Sequence, residues 1–452
     1  MLRRSSIWMP MLKEAPSQAK LRSHQLLVRG GYFSQMASGI FSILPLGNRV
    51  LEKLEKVVDS EMQVVLGAQK TRLPILLSAD SWRKTGRWDQ TGDELFRLKD
   101  RRDNDFCLGP THEETVTDLV ASFGHLSHKQ LPIKLYQITQ KYRDEIRPRF
   151  GLMRGREFTM KDMYSFHADE EDIMRFYDNV CTSYENILKK LGLDFVKVRA
   201  DTGNIGGNFS HEYHILADTG EDDLVCCDSG DYAANVELFE PEAKTSTDVF
   251  NLDCNCTEST CSCMGKGKLR IKKGIEVGHC FILGTKYSDT LKAIGVNADQ
   301  KRFPLIMGCY GLGLSRLIAA SVESYRYHAS TTKVTADDAI VWPRAIAPYE
   351  MIIMTAPGKE SERQKRKDIV EKDIVPYLSE TVDINEVVLD DRWKESLGVK
   401  MAEAKLIGYI WVVLVGKKGI EVHHLPSSNI FSVQHASEIP SIISQFDDRI
   451  QK

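Results

Sequence analysis

No apolar run in this 452-residue chain approaches the roughly 20 residues that a bilayer-spanning helix needs, and the longest clear one, at 409–415, falls far short. A surplus of positive charge is missing too. Sixty Lys and Arg against 63 Asp and Glu give a net charge of −3. Counterion release follows the phosphates actually neutralised, so binding of nucleic acid by bulk electrostatics is excluded and only local basic surface remains for it. The ten cysteines do not form a secreted disulfide framework, because Cys107, Cys181, Cys280 and Cys309 stand alone along the chain. Two common nucleotide signatures are absent: the G-x-G-x-x-G fingerprint after a parallel strand, and the Gly-Lys-Ser/Thr of a P-loop.

What is there is an ordinary globular composition, 42% hydrophobic and 27% charged, with length for about two or three domains with full cores. Residues 141–162 stand out. Five arginines (Arg143, Arg147, Arg149, Arg154 and Arg156) fall within fourteen residues, interspersed with Ile146, Phe150, Leu152 and Met153 and closed by Phe158. The flanking stretches suit paired antiparallel strands. A guanidinium fork matches phosphate oxygens two at a time, and an aromatic ring offers a face to a purine. A solvated basic hairpin is the competing reading. A second segment decides between them: 307–320 reads M-G-C-Y-G-L-G-L-S-R-L-I-A-A. Its glycines Gly308, Gly311 and Gly313 allow close backbone approach to a ligand, and Arg316 on the first helical turn can reach a phosphate.

Arg143-Asp-Glu145 with Phe158, and G-L-G-L-S-Arg316 downstream, resemble motifs 2 and 3 of the class II aminoacyl-tRNA synthetases. More narrowly, six runs resemble the prolyl-tRNA synthetases of bacterial and organellar type. These are G-P-T-H-E-E at 109–114, R-P-R-F-G-L-M-R at 147–154, K-D-M-Y-S-F-H at 161–167, G-I-E-V-G-H at 274–279, L-G-T-K-Y at 283–287 and G-C-Y-G-L-G at 308–313. The similarity runs from about Leu12 to the C-terminus. It implies an α+β fold: a class II antiparallel sheet flanked by helices over 1–345, then an α/β anticodon-binding domain over 346–452, with Trp342-Pro343 and Pro348 at the boundary. Motif 1 falls at about 48–76, motif 2 at about 141–162 and motif 3 at about 307–320.

The resemblance also implies ATP-dependent charging of tRNA(Pro) with L-proline through an adenylate. In that reading Arg143 contacts the α-phosphate, Arg154 and Arg316 hold the γ-phosphate, and Phe158 stacks on adenine against Arg316. Glu145 orients the adenine edge, and Glu276 is a ligand for Mg2+. Proline carries a cationic secondary amine, so its pocket needs acceptors at nitrogen; Thr111 and Glu113 suit this, with Arg143 close by. Phe166 and His167 are expected in the pocket wall, with His279 and Cys309 nearby; for either histidine, a satisfied core residue is the competing reading.

Apolar residues at helical spacing (Val50, Leu51, Leu54, Val57, Val58, Met62, Val65) predict a helix that Gly67 stops, followed by a short strand ending at Pro74. This resembles motif 1, which implies a homodimer. A second stripe predicts a helix over 169–191. Strands at 351–354, 386–389 and 409–415, alternating with helices near 360–379 and 396–407, predict the small C-terminal domain. Basic clusters at 365–367 and 417–418 are its candidate tRNA surface. Six cysteines lie between 226 and 263. Cys254, Cys256, Cys261 and Cys263 have a spacing that can surround one zinc, alone or with Cys226 or Cys227; a metal-free reduced linker over 238–267 is the alternative. The stretch 236–273 is too short for the inserted editing domain of long bacterial enzymes, since a domain needs at least about 50 residues. The first thirteen residues are basic, contain two serines and no acid, which suits a mitochondrial matrix protein; the bacterial cytoplasm fits as well. A non-catalytic relative is disfavoured because Arg143, Arg154, Phe158 and Arg316 are all present, and synthetases for threonine, serine, glycine or histidine are the runners-up.

Overall fold

The apolar stripe near residue 50 forms helix Pro45–Asp59, with Val50, Leu51, Leu54 and Val58 buried. A π-helical turn, Ser60–Val65, continues it and changes its phase, so Met62 stays buried while Val64 and Val65 are 80% and 59% exposed. The stripe therefore ends at Met62, not at Val65. Gly67, at φ +63°, then carries the chain out of the helix.

The computed structural model describes residues 1–207, 209–229, 232–236, 267–329 and 339–450. They form two compact units. One combines Met1–Ser34, Ser42–Lys53 and His328–Lys452; the other combines Gln35–Phe41 with Leu54–Tyr327. The division differs from the expected 1–345 and 346–452, because the first 34 residues and 42–53 group with the C-terminal part. Strand Leu2–Arg3 runs parallel to Val387–Leu389 in that unit's sheet, and Arg49 donates to Asn385 O at 2.7 Å and to Glu386 Oε1 at 2.9 Å.

In this unit six strands form a mixed sheet in the order Leu2–Arg3, Val387–Leu389, Met351–Thr355, Trp411–Gly416, Gly419–His424, Asn429–Val433. The three strands read from sequence are there, and they are nearly wholly buried apolar runs, as parallel strands covered on both faces should be. The antiparallel hairpin Gly419–His424 and Asn429–Val433 was not foreseen. Of the basic cluster 365–367, Arg366 is buried and donates to Ala356 O and Pro357 O at 2.8 Å, so it is a brace and not tRNA surface.

The other unit is built on a nine-stranded, mainly antiparallel sheet. Its centre is Leu269–Gly284, Ile306–Gly313, Glu157–His167 and Ile133–Tyr142, each antiparallel to the next. The two strands expected to bracket the arginine loop are thus paired. Helix Glu170–Lys190 covers one face of the sheet with Ile173, Phe176, Tyr177, Val180, Tyr184 and Ile187, and Asp169 caps it by accepting from Asp172 N at 2.8 Å.

Candidate active site

Alternation along strand Glu157–His167 decides which residues share a surface. Phe158, Met160 and Asp162 line a pocket; Lys161 points the other way, where its Nζ donates to Tyr184 OH at 2.6 Å. The register places Asp162 opposite Gly311 and Tyr164 opposite Cys309. On the next strand Gly311 faces His279, and Cys309 faces Phe281. Gly311 and Gly313 keep the floor open, for a Cβ on Gly311 would meet only Met160 Sδ, at 3.7 Å, and His279 O, at 3.9 Å. Gly308 serves packing instead: a Cβ there would overlap the Tyr310 hydroxyl.

A β-bulge brings an acid onto the same surface. Tyr213 pairs with Gly278 and His214 with Glu276, so Val277 is the extra residue, and Glu276 and His279 both face the pocket. Glu212 lies opposite His279. Ligand atoms of Glu212, Glu276 and His279 all lie within 4.8 Å of one another, which is the spacing a single cation needs. Burial lowers the basicity of His279, and its ring stacks on Phe281 at 3.8 Å. Burial pushes the Glu276 carboxyl up, but the charges of Arg316 and His279 more than offset this and hold it below the usual carboxylate range.

Arg143, Arg154 and Arg316 converge on this one pocket, whose volume is about 160 Å3. Arg143 follows strand Ile133–Tyr142, Arg154 closes the arginine loop, and Arg316 sits on the first turn of helix Leu314–Ala329. Their present commitments differ. Arg316 donates to Met153 O at 2.9 Å and to Glu276 Oε2 at 3.1 Å. Arg154 donates to Glu145 Oε2 at 2.9 Å and Glu221 Oε2 at 3.3 Å. The nearest carboxylate to Arg143, Glu94, is 3.8 Å away, and its guanidinium lies 5.4 Å from the centre of the Phe158 ring. The cation beside the Phe158 ring is thus Arg143. Of the three, Arg143 has the charge least used by the fold.

At the other end, Thr111 and Cys309 line the pocket, but Glu113 stands behind them, wholly buried. Its carboxylate accepts from Thr111 Oγ1 at 2.7 Å, Cys309 Sγ at 3.2 Å and Arg87 Nη1 at 3.0 Å. Glu113 therefore reaches the pocket only through Thr111 and Cys309. Burial pushes its carboxyl up, yet Arg87 and the hydroxyl and thiol donors pull it down further, so it is held below the ordinary range. The neighbouring Glu114 shares Arg87 and ends above it, through burial and the Glu113 charge.

Two expected wall residues lie elsewhere. Phe166 is two rungs beyond Tyr164 and belongs to a core cluster with Leu283, Met307 and Phe281. His167 is on the opposite face of the strand, with Nδ1 2.6 Å from Asp172 Oδ2 and its ring 5.4 Å from that of Phe176. It is a buried core histidine anchored through Nδ1 alone. The four cysteines Cys254, Cys256, Cys261 and Cys263 lie outside the described residues.

Sequence reasoning missed Arg87, Asp162, Tyr164, Lys141 and Glu212. Asp162 lines the pocket, paired with buried Lys141 at 2.8 Å, and accepts from Tyr164 OH and Gln137 Nε2, both at 3.0 Å. Its place in the K-D-M-Y-S-F-H run was a usable signal. Arg87 gave none, lying 26 residues before Glu113 in a segment of ordinary composition.

Residues 96–325 match the family described as tRNA synthetase class II core domain (G, H, P, S and T). A mouse protein named probable proline–tRNA ligase, mitochondrial, is 42% identical over 416 residues, covering 91% of this chain and 81% of that one. A proline–tRNA ligase of Sulfurimonas denitrificans is 41% identical over 424 residues, covering 92% of each. Among solved structures, the prolyl-tRNA synthetase of Cryptosporidium parvum complexed with L-proline and AMP shares the fold, with a TM-score of 0.70 at 17% identity over 94% of this chain and 75% of that one. In the described residues no helix is long and apolar enough to cross a membrane.

Proposed function

This chain belongs to the class II aminoacyl-tRNA synthetases, in the proline–tRNA ligase family, and from that premise we propose how its pocket residues divide the work. The protein joins L-proline to tRNA(Pro) at the expense of ATP. The proline carboxylate attacks the α-phosphate and expels pyrophosphate; a ribose hydroxyl at the tRNA 3′ end then takes the prolyl group and releases AMP. Neither step requires a side-chain nucleophile. The pocket has to hold a bent triphosphate, offset its growing charge and align the attack.

The observation that carries the assignment is the convergence of Arg143 and Arg154, from one loop, and Arg316, from a distant helix start, on one pocket with Phe158 at its wall. Arg143, least committed to the fold, stabilises charge developing on the α-phosphate. Arg154 and Arg316 release Glu145 and Glu276 to take the γ-phosphate, and the freed Glu145 turns to the adenine edge. Phe158 stacks on adenine, with the Arg143 guanidinium beside it. Mg2+ supplies further neutralisation of phosphate charge when bound; Glu276 and Glu212 offer the oxygen donors it prefers. Thr111 and Cys309 accept from the proline nitrogen, Glu113 positions them, and His279 completes the wall.

The active protein is a homodimer. The exposed Val64 and Val65, at the end of the motif 1 helix, support a second copy as the cover for an apolar surface of this kind. The smaller unit, with 346–452 at its centre, reads the anticodon. A zinc ion held by Cys254, Cys256, Cys261 and Cys263 is supported by their spacing; purified protein without stoichiometric zinc would remove it. The protein acts in the mitochondrial matrix, which the basic, acid-free start of the chain supports; the bacterial cytoplasm is the alternative. ATP–pyrophosphate exchange across the twenty amino acids tests the substrate. Proline should drive it most strongly, and exchange driven preferentially by threonine, serine, glycine or histidine would refute the assignment.

A further inference from the structure

We propose that Arg87, which does not line the pocket, is a positioning residue that fixes the proton polarity of the proline subsite, so that its wall offers only acceptors. The inference deepens the reading of Thr111 and Cys309 given above and rests on it. Arg87 is 3% exposed, with Nη1 at 3.0 Å from Glu113 Oε2 and 3.0 Å from Glu114 Oε2, in cation–π reach of Trp82 at 4.8 Å. Such a cation keeps Glu113 a carboxylate, and a carboxylate only accepts. The Thr111 hydroxyl proton must then point at Glu113, at 2.8 and 2.7 Å, and the Cys309 thiol proton likewise, at 3.2 Å.

Tyr164 does not reverse this. Its hydroxyl is 3.3 Å from Thr111 Oγ1, but its proton goes to Asp162 Oδ2 at 3.0 Å while its oxygen accepts from His112 N at 2.9 Å. With every nearby proton turned inward, Thr111 and Cys309 present lone pairs to the pocket. A cationic secondary amine, with two N–H donors and no lone pair, is the ligand that such a wall accepts. A ring of the same shape with an ether oxygen in place of nitrogen meets lone pairs with lone pairs.

The discriminating experiment compares proline with tetrahydrofuran-2-carboxylate, the ether analogue, as substrate and inhibitor in ATP–pyrophosphate exchange. In Glu113→Gln the amide oxygen stays with Arg87 at the Oε2 position, so the amide NH2 takes the Oε1 position facing Cys309 and Thr111, frees the Cys309 proton to turn into the pocket and loosens that of Thr111. In Arg87→Met, Glu113 takes up a proton with the same result. Both variants should raise the KM for proline by about a hundredfold, the scale of one buried hydrogen bond to a charged group reversed in sense, with the KM for ATP unchanged. The ratio of the ether's inhibition constant to the proline KM should fall at least tenfold, and Arg87→Lys should restore most of it. Loss of activity with an unchanged ratio would reduce Arg87 to a structural brace and overturn the proposal. If Arg87→Met does not fold, Glu113→Gln, which keeps the shape of the site, decides alone. Wild-type protein without proline-dependent exchange would overturn the parent reading, whereas active wild type with unaltered discrimination in the variants overturns this inference only.

Discussion

Replacing Arg143 by alanine should separate stability from catalysis, because the fold scarcely uses this residue. Its side chain is 30% exposed, and the carboxylate it pairs with among the described residues, Glu94, is 43% exposed and 3.8 Å away. An exposed pair of that kind contributes about 0–1 kcal/mol. The guanidinium 5.4 Å from the Phe158 ring adds about 0.5–1 kcal/mol. Folding should therefore lose at most about 2 kcal/mol. A preorganised group that stabilises charge in the transition state is worth about 3–4 kcal/mol, so kcat for proline-dependent pyrophosphate exchange should fall about 10²–10³-fold. Arg143→Lys keeps the charge but loses the fork and should fall between. Exchange kinetics and a thermal melt on the same preparations check both halves. Exchange within tenfold of wild type, or a collapse in stability large enough to explain the loss, would refute the reasoning.

Lys161 makes stability depend on alkaline pH. Its ammonium is wholly buried and burial pushes it from 10.5 down to about 8. Below about 8 both folded and unfolded chains hold the proton, so the cost of burying the charge is felt in full. Between there and 10.5 the folded state gives the proton up while the unfolded state keeps it, and stability rises with pH by up to about 3 kcal/mol. Lys161→Met should flatten that rise in denaturant titrations from pH 7.5 to 10; an unaltered slope would show that Lys161 is not its source. Charging the exposed end of the motif 1 helix, as Val64→Asp with Val65→Asp, should shift the protein from dimer to monomer in sedimentation, and an undisturbed dimer would place the interface elsewhere. A small apolar pocket separates proline from alanine by only about 1–3 kcal/mol, and 236–273 leaves no room for an editing domain. Purified protein should therefore leave alanyl-tRNA(Pro) intact; rapid deacylation would contradict this.

The phosphate end of the site was legible because its arginines cluster in one loop and recur at a helix start, a pattern in which charge type and spacing already specify the ligand. The proline end was less so. Thr111 and Glu113 are two apart, and nothing in T-H-E says that the carboxylate turns inward to a cation 26 residues earlier. The error over Phe166 and His167 was avoidable in part: adjacent residues of a strand point to opposite faces, so both cannot wall one pocket. Glu276 and His279 share a face only because of the bulge at Val277, and a bulge depends on the partner strand. The helices over 45–59 and 170–190 followed from periodicity, but the π turn that exposes Val64 and Val65 did not. Two residues such as Leu2 and Arg3 carry no periodic signal, and their strand exists because Val387–Leu389 offers an edge.

The most direct test of the convergent pocket is a crystal structure of the protein with a non-hydrolysable ATP analogue and L-proline. The phosphates should lie among Arg143, Arg154 and Arg316, the adenine on Phe158, and the ring nitrogen within hydrogen-bond distance of Thr111 Oγ1. Phosphates bound away from these three arginines, or a proline nitrogen turned from Thr111, would contradict the account.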